Sequence, residues 1–498
     1  MKSIISNTHS RKFRSISTFE SEAERIYFLL PFKFHSISTD REVLVNEVGD
    51  YLIVPQGTAK AIVNREIDSS SNLYRDLVAN FFISPTPVPE LLNVLSTRYR
   101  TKKRSLESFT SLHIFVVTLR CNHSCHYCQV SRAAESKSEF DISYKDLDAG
   151  INHMFLSPSE ELTVEFQGGE PLLAFDKVRY AVERIQLLNE NFKKDISYVI
   201  CTNSTILNDE ILLFCKNYNI LISTSLDGPA FIHNANRFKS GRASYDLVIE
   251  GINRMRQALG HDKVSALMTT TALSLKYPKE IIDNYAENGF GNIFLRPISP
   301  YGFALKNQRK NHYQTAEFLD FYKQGLEHIL NLNAQGVFFK EDYTSIILQK
   351  ILTPFTGNYV DLQSPTGLVG SVIVFNYDGF VYASDESRML AEIKDYTFQL
   401  GHISQSYEEL FLGEKAKQFF DNGIAECLAG CSDCAFLTYC GADPVLHYAT
   451  QNDMQGHRAF SIFCKKNMEI IRYLFEMLDI RKGYVESTFQ SWIHKPAA

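Results

Sequence analysis

Residues 112–132 read LHIFVVTLRCNHSCHYCQVSR, and this stretch decides the reading of the chain. Its first part, His113–Leu119, is an apolar run with the length of a buried strand. Directly after it come Cys121, Cys125 and Cys128, in the spacing C-x3-C-x2-C. Three soft thiolates on one short loop can hold three irons of a 4Fe–4S cube. No fourth cysteine is nearby, so the fourth iron would stay open to another ligand. A zinc ion shares this spacing if His123 or His126 supplies the fourth ligand that structural zinc wants.

Downstream, apolar segments alternate with amphipathic ones. Strands are predicted at Leu162–Phe166, Ser197–Cys201, Leu221–Ser225, Val264–Met268 and Asn292–Leu295. Helices are predicted at Tyr144–Phe155, Phe175–Asn189, Asp209–Tyr218, Tyr245–Leu259 and Pro278–Gly289. Six such βα units imply a parallel sheet with right-handed crossovers, able to close partly into a barrel. Polar residues gather at the C-terminal ends of the strands: Gly168-Gly169-Glu170, Thr202-Asn203, Ser225 with Asp227-Gly228, Thr269-Thr270-Thr271 and Arg296-Pro297. In α/β barrels the active site lies on that face. A Gly-Gly turn lets backbone approach a ligand closely, and Glu170 can bind an ammonium group.

The triplet with an aromatic before its last cysteine, followed by Gly-Gly-Glu, resembles the radical S-adenosylmethionine (SAM) superfamily. The resemblance implies a partial (βα)6 TIM-like barrel. It implies a 4Fe–4S cluster on Cys121, Cys125 and Cys128, with the amino and carboxylate groups of SAM on the open iron. A 5′-deoxyadenosyl radical made there abstracts hydrogen from the substrate; that chemistry belongs to the cofactor. Carried over, Glu170 and the backbone of Gly168 and Gly169 hold the methionine amino group, Asn203 and Ser225 serve the ribose and carboxylate, and Tyr127 packs on the adenine.

A second cysteine group lies near the C-terminus. Cys431, Cys434 and Cys440 are spaced C-x2-C-x5-C, and Cys464 follows. Four thiolates saturate a cluster or a zinc ion. The pattern resembles the SPASM domain of peptide-modifying radical SAM enzymes, which implies an auxiliary 4Fe–4S cluster. The full SPASM pattern carries a second one. Its cysteines are absent here, with Pro444 at one place and Ala383 and Ser384 at the other, so one auxiliary cluster is expected. Cys427 has no assigned role, and Cys201 and Cys215 read as core residues.

These motifs divide the 498 residues into a small α+β N-terminal domain (1–108), the radical SAM core barrel (109–300), a helical connector (301–370) and a SPASM-like auxiliary cluster domain (371–498). In the first, Arg41–Val54 reads as two extended segments turning at Glu47–Asp50, followed by helices at Asn72–Phe82 and Val88–Tyr99. This resembles the domain with which peptide maturases hold a leader peptide as an added strand; a structural cap is the alternative. In the connector Thr315–Leu332 is the clearest helix, in the last domain Ser371–Tyr382 reads as a hairpin with a type I′ turn at Asp378-Gly379, and the amphipathic Lys466–Leu478 closes the chain.

Hydrophobic residues at 45%, charged residues at 22% and a net charge of −6 fit a globular protein and argue against a nucleic-acid or anionic-membrane binder. The absence of an apolar segment in the first thirty residues and of any eighteen-residue apolar run leads to the expectation of a cytoplasmic protein. Long stretches, among them residues 112–132, 221–237 and 293–304, resemble the His-Xaa-Ser repeat system radical SAM maturase, the B-type protein. That resemblance implies a ribosomally synthesised precursor peptide with His-Xaa-Ser repeats as substrate, a second radical SAM maturase as partner, and an external electron donor such as flavodoxin or ferredoxin. Two alternatives are oxidation of a protein side chain, as in the anaerobic sulfatase maturases, and a non-enzymatic zinc protein. Asp227, Asp378 and Asp385 lie near motifs and are candidates for proton transfer or for turns. The bond formed, the general base and the oligomeric state are not readable from the sequence.

Overall fold

The structure is a computed structural model that describes residues 27–354, 359–480 and 483–494. The first 26 residues of the expected N-terminal domain, and 355–358 of the expected connector, lie outside the described residues. The chain divides into two compact units, one ending at Tyr99 and one beginning at Arg100.

The first unit holds β1 (Phe28–Leu29), β2 (Phe32–Ser36), β3 (Arg41–Asn46), β4 (Tyr51–Pro55), α1 (Thr58–Val63), α2 (Asn72–Ala79), β5 (Ile83–Ser84) and most of α3 (Pro89–Lys102). Strands β2, β3 and β4 form an antiparallel sheet, with Leu44 opposite Leu52. The turn at residues 47–50 forms because Asn46 Oδ1 accepts the amides of Val48 and Asp50, and Gly49 takes a φ of 83°. Tyr27, Leu44, Ile62, Leu77 and Phe82 form the core.

In the second unit, five strands run parallel: β6 (Leu112–Thr118), β7 (Glu161–Gly168), β8 (Asp195–Thr202), β9 (Leu221–Ser225) and β10 (Val264–Leu267). Between them lie α4 (Tyr144–Phe155), α5 (Phe175–Phe192), α6 (Asp209–Asn217), α7 (Ala230–Asn236) and α8 (Ser244–Leu259). Helix starts are set by caps: Ser143 accepts the amide of Asp146, and Asn208 that of Ile211. Along β7, Leu162, Val164 and Phe166 are buried, while Glu165 and Gln167 face a cavity. The same alternation puts Cys201 of β8 and Ser223 and Ser225 of β9 on that inner face. One side of the sheet is therefore core and the other is a polar, concave surface.

After α9 (Pro278–Glu287), the sixth βα strand does not extend this sheet. β11 is only Asn292–Ile293 and pairs with β12 (Lys340–Glu341); a single bridge, Thr270 to Pro297, reaches back toward β10. The strand stops because the amide of Leu295 donates to the side-chain carboxylate of Glu341 instead of to a backbone carbonyl of β12. Helices α10 (Gly302–Lys306), α11 (Thr315–Ala334) and α12 (Asp342–Leu352) follow.

On the far side of β6, β13 (Val372–Phe375) pairs parallel to it, and β14 (Phe380–Tyr382) and β15 (Gln399–His402) continue the sheet antiparallel. The strand order is β10-β9-β8-β7-β6-β13-β14-β15, so residues from 371 onward begin as an extension of the barrel sheet. The expected type I′ turn is corrected. That turn needs positive φ at two residues, and only Gly379 has it. The Asn376 amide donates to Phe380 O, giving a three-residue loop in which Asp378 Oδ1 accepts from Asn376 Nδ2 and from the Phe380 amide. Helices α13 (Asp385–Ala391), α14 (Pro444–Gln451) and α15 (Ile462–Ile480) complete the parts that matter for the site. No helix among the described residues is long and apolar enough to cross a membrane.

Candidate functional site

The loop after β6 carries Cys121, Cys125 and Cys128 to the edge of a cavity of about 550 Å³. The end of β7 closes against the root of this loop. The amide of Gly169 donates to Thr118 O and that of Glu170 to Arg120 O, at 2.8 and 2.7 Å. A Cβ on Gly168 would stand 2.0 Å from Thr118 O, and one on Gly169 2.2 Å from Arg120 O. Only glycine permits the approach. Gly168, Gly169, Asn203 and Ser225 line the cavity with the three cysteines.

Burial pushes the Cys121 thiol far up and Cys125 to about 12. Neither thiol ionises at neutral pH unless a positive centre lies beside it, and iron supplies that charge. Cys121 Sγ accepts from the His123 amide at 3.4 Å. The donor set therefore fits an iron–sulfur cluster. The zinc alternative is poorly served. Both ring nitrogens of His123 are engaged, with Asn122 Oδ1 at 2.9 Å and Ser244 Oγ at 2.7 Å, and burial pushes its pKa down to about 3. His126 is not on the cavity wall and lies 3.3 Å from Asn236 Oδ1. Among the described residues no three Cys, His, Asp or Glu side chains converge on a position for a single ion.

Tyr127 lines the cavity, but its position is fixed from the other side. Its hydroxyl donates to Asp227 Oδ2 at 2.7 Å, and Arg237 lies over its ring at 5.4 Å while pairing with Asp227 Oδ1 at 3.1 Å. Asp227 is fully buried in this pair and is neither an exposed turn residue nor a residue of the cavity wall. Sequence reasoning missed Arg237, which α7 brings back onto Asp227; two opposite charges flanking one short helix were the available signal.

The expected role of Glu170 as an ammonium ligand is corrected. It is fully buried and absent from the cavity wall. Its Oε1 accepts from Thr202 Oγ1 and the Leu172 amide, and its Oε2 from the Asn203 amide. Burial lifts its carboxyl to about 7 against these bonds. Glu170 ties the ends of β7 and β8 together, and so places Asn203. Asn203 Nδ2 in turn donates to Asn122 Oδ1 in the cysteine loop at 2.7 Å. Cys201 is also corrected: it faces the cavity and hydrogen-bonds Glu165, whose carboxyl burial raises to about 7. Cys215 is buried, as expected.

The cavity wall also carries the acidic side chains of Asp361, Asp385 and Glu386, with Arg296 3.8 Å from Glu386. Asp385 pairs with Arg388 at 3.1 Å, whereas Asp378 sits in the hairpin turn.

The four C-terminal cysteines, Cys431, Cys434, Cys440 and Cys464, surround one small space of about 30 Å³; Cys427 is exposed and outside it. Several of these sulfurs have N–H donors: Arg458 Nη1 to Cys431 at 3.4 Å, the Phe436 amide to Cys434 at 3.4 Å and Asn467 Nδ2 to Cys440 at 3.6 Å. Such donors tune cluster sulfur ligands. Burial and the neighbouring thiols raise Cys440 to about 12 and Cys464 to about 11. The donor set fits an auxiliary cluster, although a four-iron cube must part the thiols to enter so small a space.

Residues 115–284 match the family model of the radical SAM superfamily. The chain carries a radical SAM domain, and it is an enzyme. Within that class it is similar to SPASM-type maturases. It is 24% identical to the cysteine-type anaerobic sulfatase-maturating enzyme of Clostridium novyi (strain NT), over 75% of this chain and 99% of that protein. Native anSMEcpe with bound AdoMet and Cp18Cys peptide shares the fold, with a TM-score of 0.61 and 18% identity over 76% of this chain and 99% of that one. So does Streptococcus suis SuiB bound to precursor peptide SuiA, with a TM-score of 0.51 and 13% identity over 88% of this chain and 99% of that one. The superfamily uses a 4Fe–4S cluster and SAM, and cysteines able to ligate the cluster are present here.

Proposed function

We propose that the chain is a peptide maturase that removes a hydrogen atom from a ribosomally made peptide, one with His-Xaa-Ser repeats, and so installs a modification. The observation that carries this is the inner cavity of about 550 Å³, whose wall holds Asp361, Asp385 and Glu386 in addition to the three cysteines and the glycine pair, so that polar side chains beyond the cofactor residues are there to meet a substrate. When bound, the cluster and SAM supply a 5′-deoxyadenosyl radical. Cys121, Cys125 and Cys128 hold the cluster; the Gly168-Gly169 backbone, Asn203 and Ser225 hold SAM, against the ring of Tyr127. Cys431, Cys434, Cys440 and Cys464 hold the auxiliary cluster. The structures of SuiB with SuiA and of anSMEcpe with its peptide support a peptide substrate. In this reading the N-terminal unit adds a leader segment to an edge of its β2-β3-β4 sheet, a flavodoxin or ferredoxin supplies electrons in the cytoplasm, and a second radical SAM maturase works beside it.

The second reading, oxidation of a protein side chain, is favoured by the likeness to the Clostridium novyi enzyme over its full length. Co-expression with repeat-bearing precursor peptides and with a sulfatase peptide, followed by mass analysis, separates the two. A mass change on the repeat peptide is expected. Formylglycine on the sulfatase peptide, with the repeat peptide unchanged, would establish the second reading instead.

A further inference from the structure

A second cavity, of about 380 Å³, lies between the barrel mouth and α15. It shares Phe294, Arg296, Tyr359, Asp361 and Glu386 with the inner cavity, so the two have a common wall. One side is aromatic: Phe294, Tyr343 and Tyr359 pack with ring centres 5.6 to 6.1 Å apart. The other side is acidic, with Asp361, Glu386 and Asp443. The cations facing these carboxylates are Arg296, 3.8 Å from Glu386, and Lys466, which lies over the Tyr343 ring at 4.7 Å. The wall thus holds three carboxyl groups, the cationic side chains of Arg296 and Lys466, and His312.

Two further groups point to a ligand. Tyr301 is 1% exposed and Asn311 2%, both line this cavity, and neither the Tyr301 hydroxyl nor Asn311 Oδ1 has a hydrogen-bond partner among the described residues. Buried polar atoms are rarely left so without a role. An apolar occupant would leave them unpaired, and an anion would meet three carboxylates. Burial and the nearness of Asp361 hold the carboxyls of Glu386 and Asp443 above their ordinary range, a strain that a cationic occupant relieves. Flat aromatic walls and spread oxygen acceptors suit a planar group with several N–H donors.

We propose that this cavity is a specificity pocket for a planar nitrogenous side chain of the substrate, imidazole or guanidinium, beside the residue that reacts in the neighbouring cavity. This rests on the peptide reading of the function.

The test uses the full chain, reconstituted anaerobically, with fluorescein-labelled peptides of repeated His-Gly-Ser triplets and versions carrying Arg, Lys or Gln in place of His. Binding is read by anisotropy, and deoxyadenosine release is read in parallel. The His or the Arg peptide should bind roughly tenfold tighter than the Gln peptide, and which of the two does so names the side chain. Asp443→Asn keeps the cap that Asp443 provides to α14, and Tyr301→Phe removes only a hydroxyl. Each should erase most of the preference, leaving Gln-peptide affinity and the thermal midpoint unchanged. Equal binding of the Gln peptide, or a preference that survives D443N, overturns the proposal; a Lys peptide that binds as tightly as the better of His and Arg overturns its planar part. If all peptides bind and stimulate deoxyadenosine release without preference, the pocket assignment fails alone and the peptide reading stands. If none binds or stimulates release, both fall.

Discussion

Replacing Gly169 by alanine should cost the protein its first cluster, by a route that can be followed atom by atom. The backbone of Gly169 is not in the left-handed region, so the penalty is steric alone. The new methyl would meet Arg120 O at 2.2 Å, Leu119 O at 2.4 Å and Leu119 C at 2.6 Å, all backbone atoms. To reach ordinary contact, the strand end and the loop root must part by about 1 Å. Those carbonyls are in use: Arg120 O accepts the Glu170 amide at 2.7 Å and Leu119 O the Ala133 amide at 2.6 Å. Two hydrogen bonds at about 1 kcal/mol each, together with about 1–3 kcal/mol for overpacking, give a loss of about 3–5 kcal/mol. Arg120 is bonded to Cys121, so the same displacement moves one thiol relative to the other two. The assay is iron and sulfide per chain after anaerobic reconstitution, with thermal unfolding alongside. Gly291→Ala is the control, since a Cβ there meets nothing within 4 Å and φ is not positive. A G169A chain that keeps wild-type iron content and a wild-type midpoint would refute the claim that this contact positions the cysteine loop.

Two further outcomes are expected. The carboxyl of Glu165 is raised by burial from 4.5 to about 7, so the folded chain holds this proton more tightly than the unfolded one. The stability this contributes is full below about pH 4.5 and lost as pH rises through about 7, about 3 kcal/mol as an order of magnitude; denaturant unfolding of E165Q should therefore show a smaller loss between about pH 5 and about pH 8 than the parent, and equal losses would contradict the assignment. Cys434→Ala should leave uncoupled SAM cleavage intact and abolish peptide modification, measured as deoxyadenosine against modified peptide; loss of both together would mean that the C-terminal thiols only hold the fold.

Local signals in the sequence located many elements well. β9 and α4 begin and end at the residues the pattern indicates, Leu221–Ser225 and Tyr144–Phe155, because strand alternation and the Ser143 cap are local facts. The sixth strand was misjudged because what stops it, Glu341, lies 46 residues from Leu295 in sequence. The hairpin turn was misread because Asp-Gly fits two loop types, and the choice is made by Asn376, which reaches Asp378 from before the turn. Cys121, Cys125 and Cys128, the glycine pair, Asn203 and Ser225 are legible because each stands at or just after the end of a regular strand, whereas Cys431, Cys434, Cys440 and Cys464 are legible by their spacing alone. Glu170 was recognised as important but given the wrong partner: nothing local says that its carboxylate turns away from the cavity toward Thr202 and the Asn203 amide. The second cavity was invisible, since it comes from segments brought together only by the fold, whereas Arg237 had a local signal in the two opposite charges that flank one short helix.

The expectation of a single auxiliary cluster has a structural counterpart at residues 383–387. The SPASM resemblance puts a cysteine where this chain has Ala383 and Ser384. Here Ser384 is a helix cap: its hydroxyl accepts the Ser387 amide, and the Ser387 hydroxyl accepts the Ser384 amide in return. Both serines are buried, so the reciprocal pair is shielded from water and fixes the first turn of α13. That turn carries Asp385 and Glu386. It sets both at the inner cavity, and Glu386 also on the wall shared with the second cavity. A thiolate bound to iron at this position could not cap the helix, and without the cap the two carboxylates would lose their fixed direction.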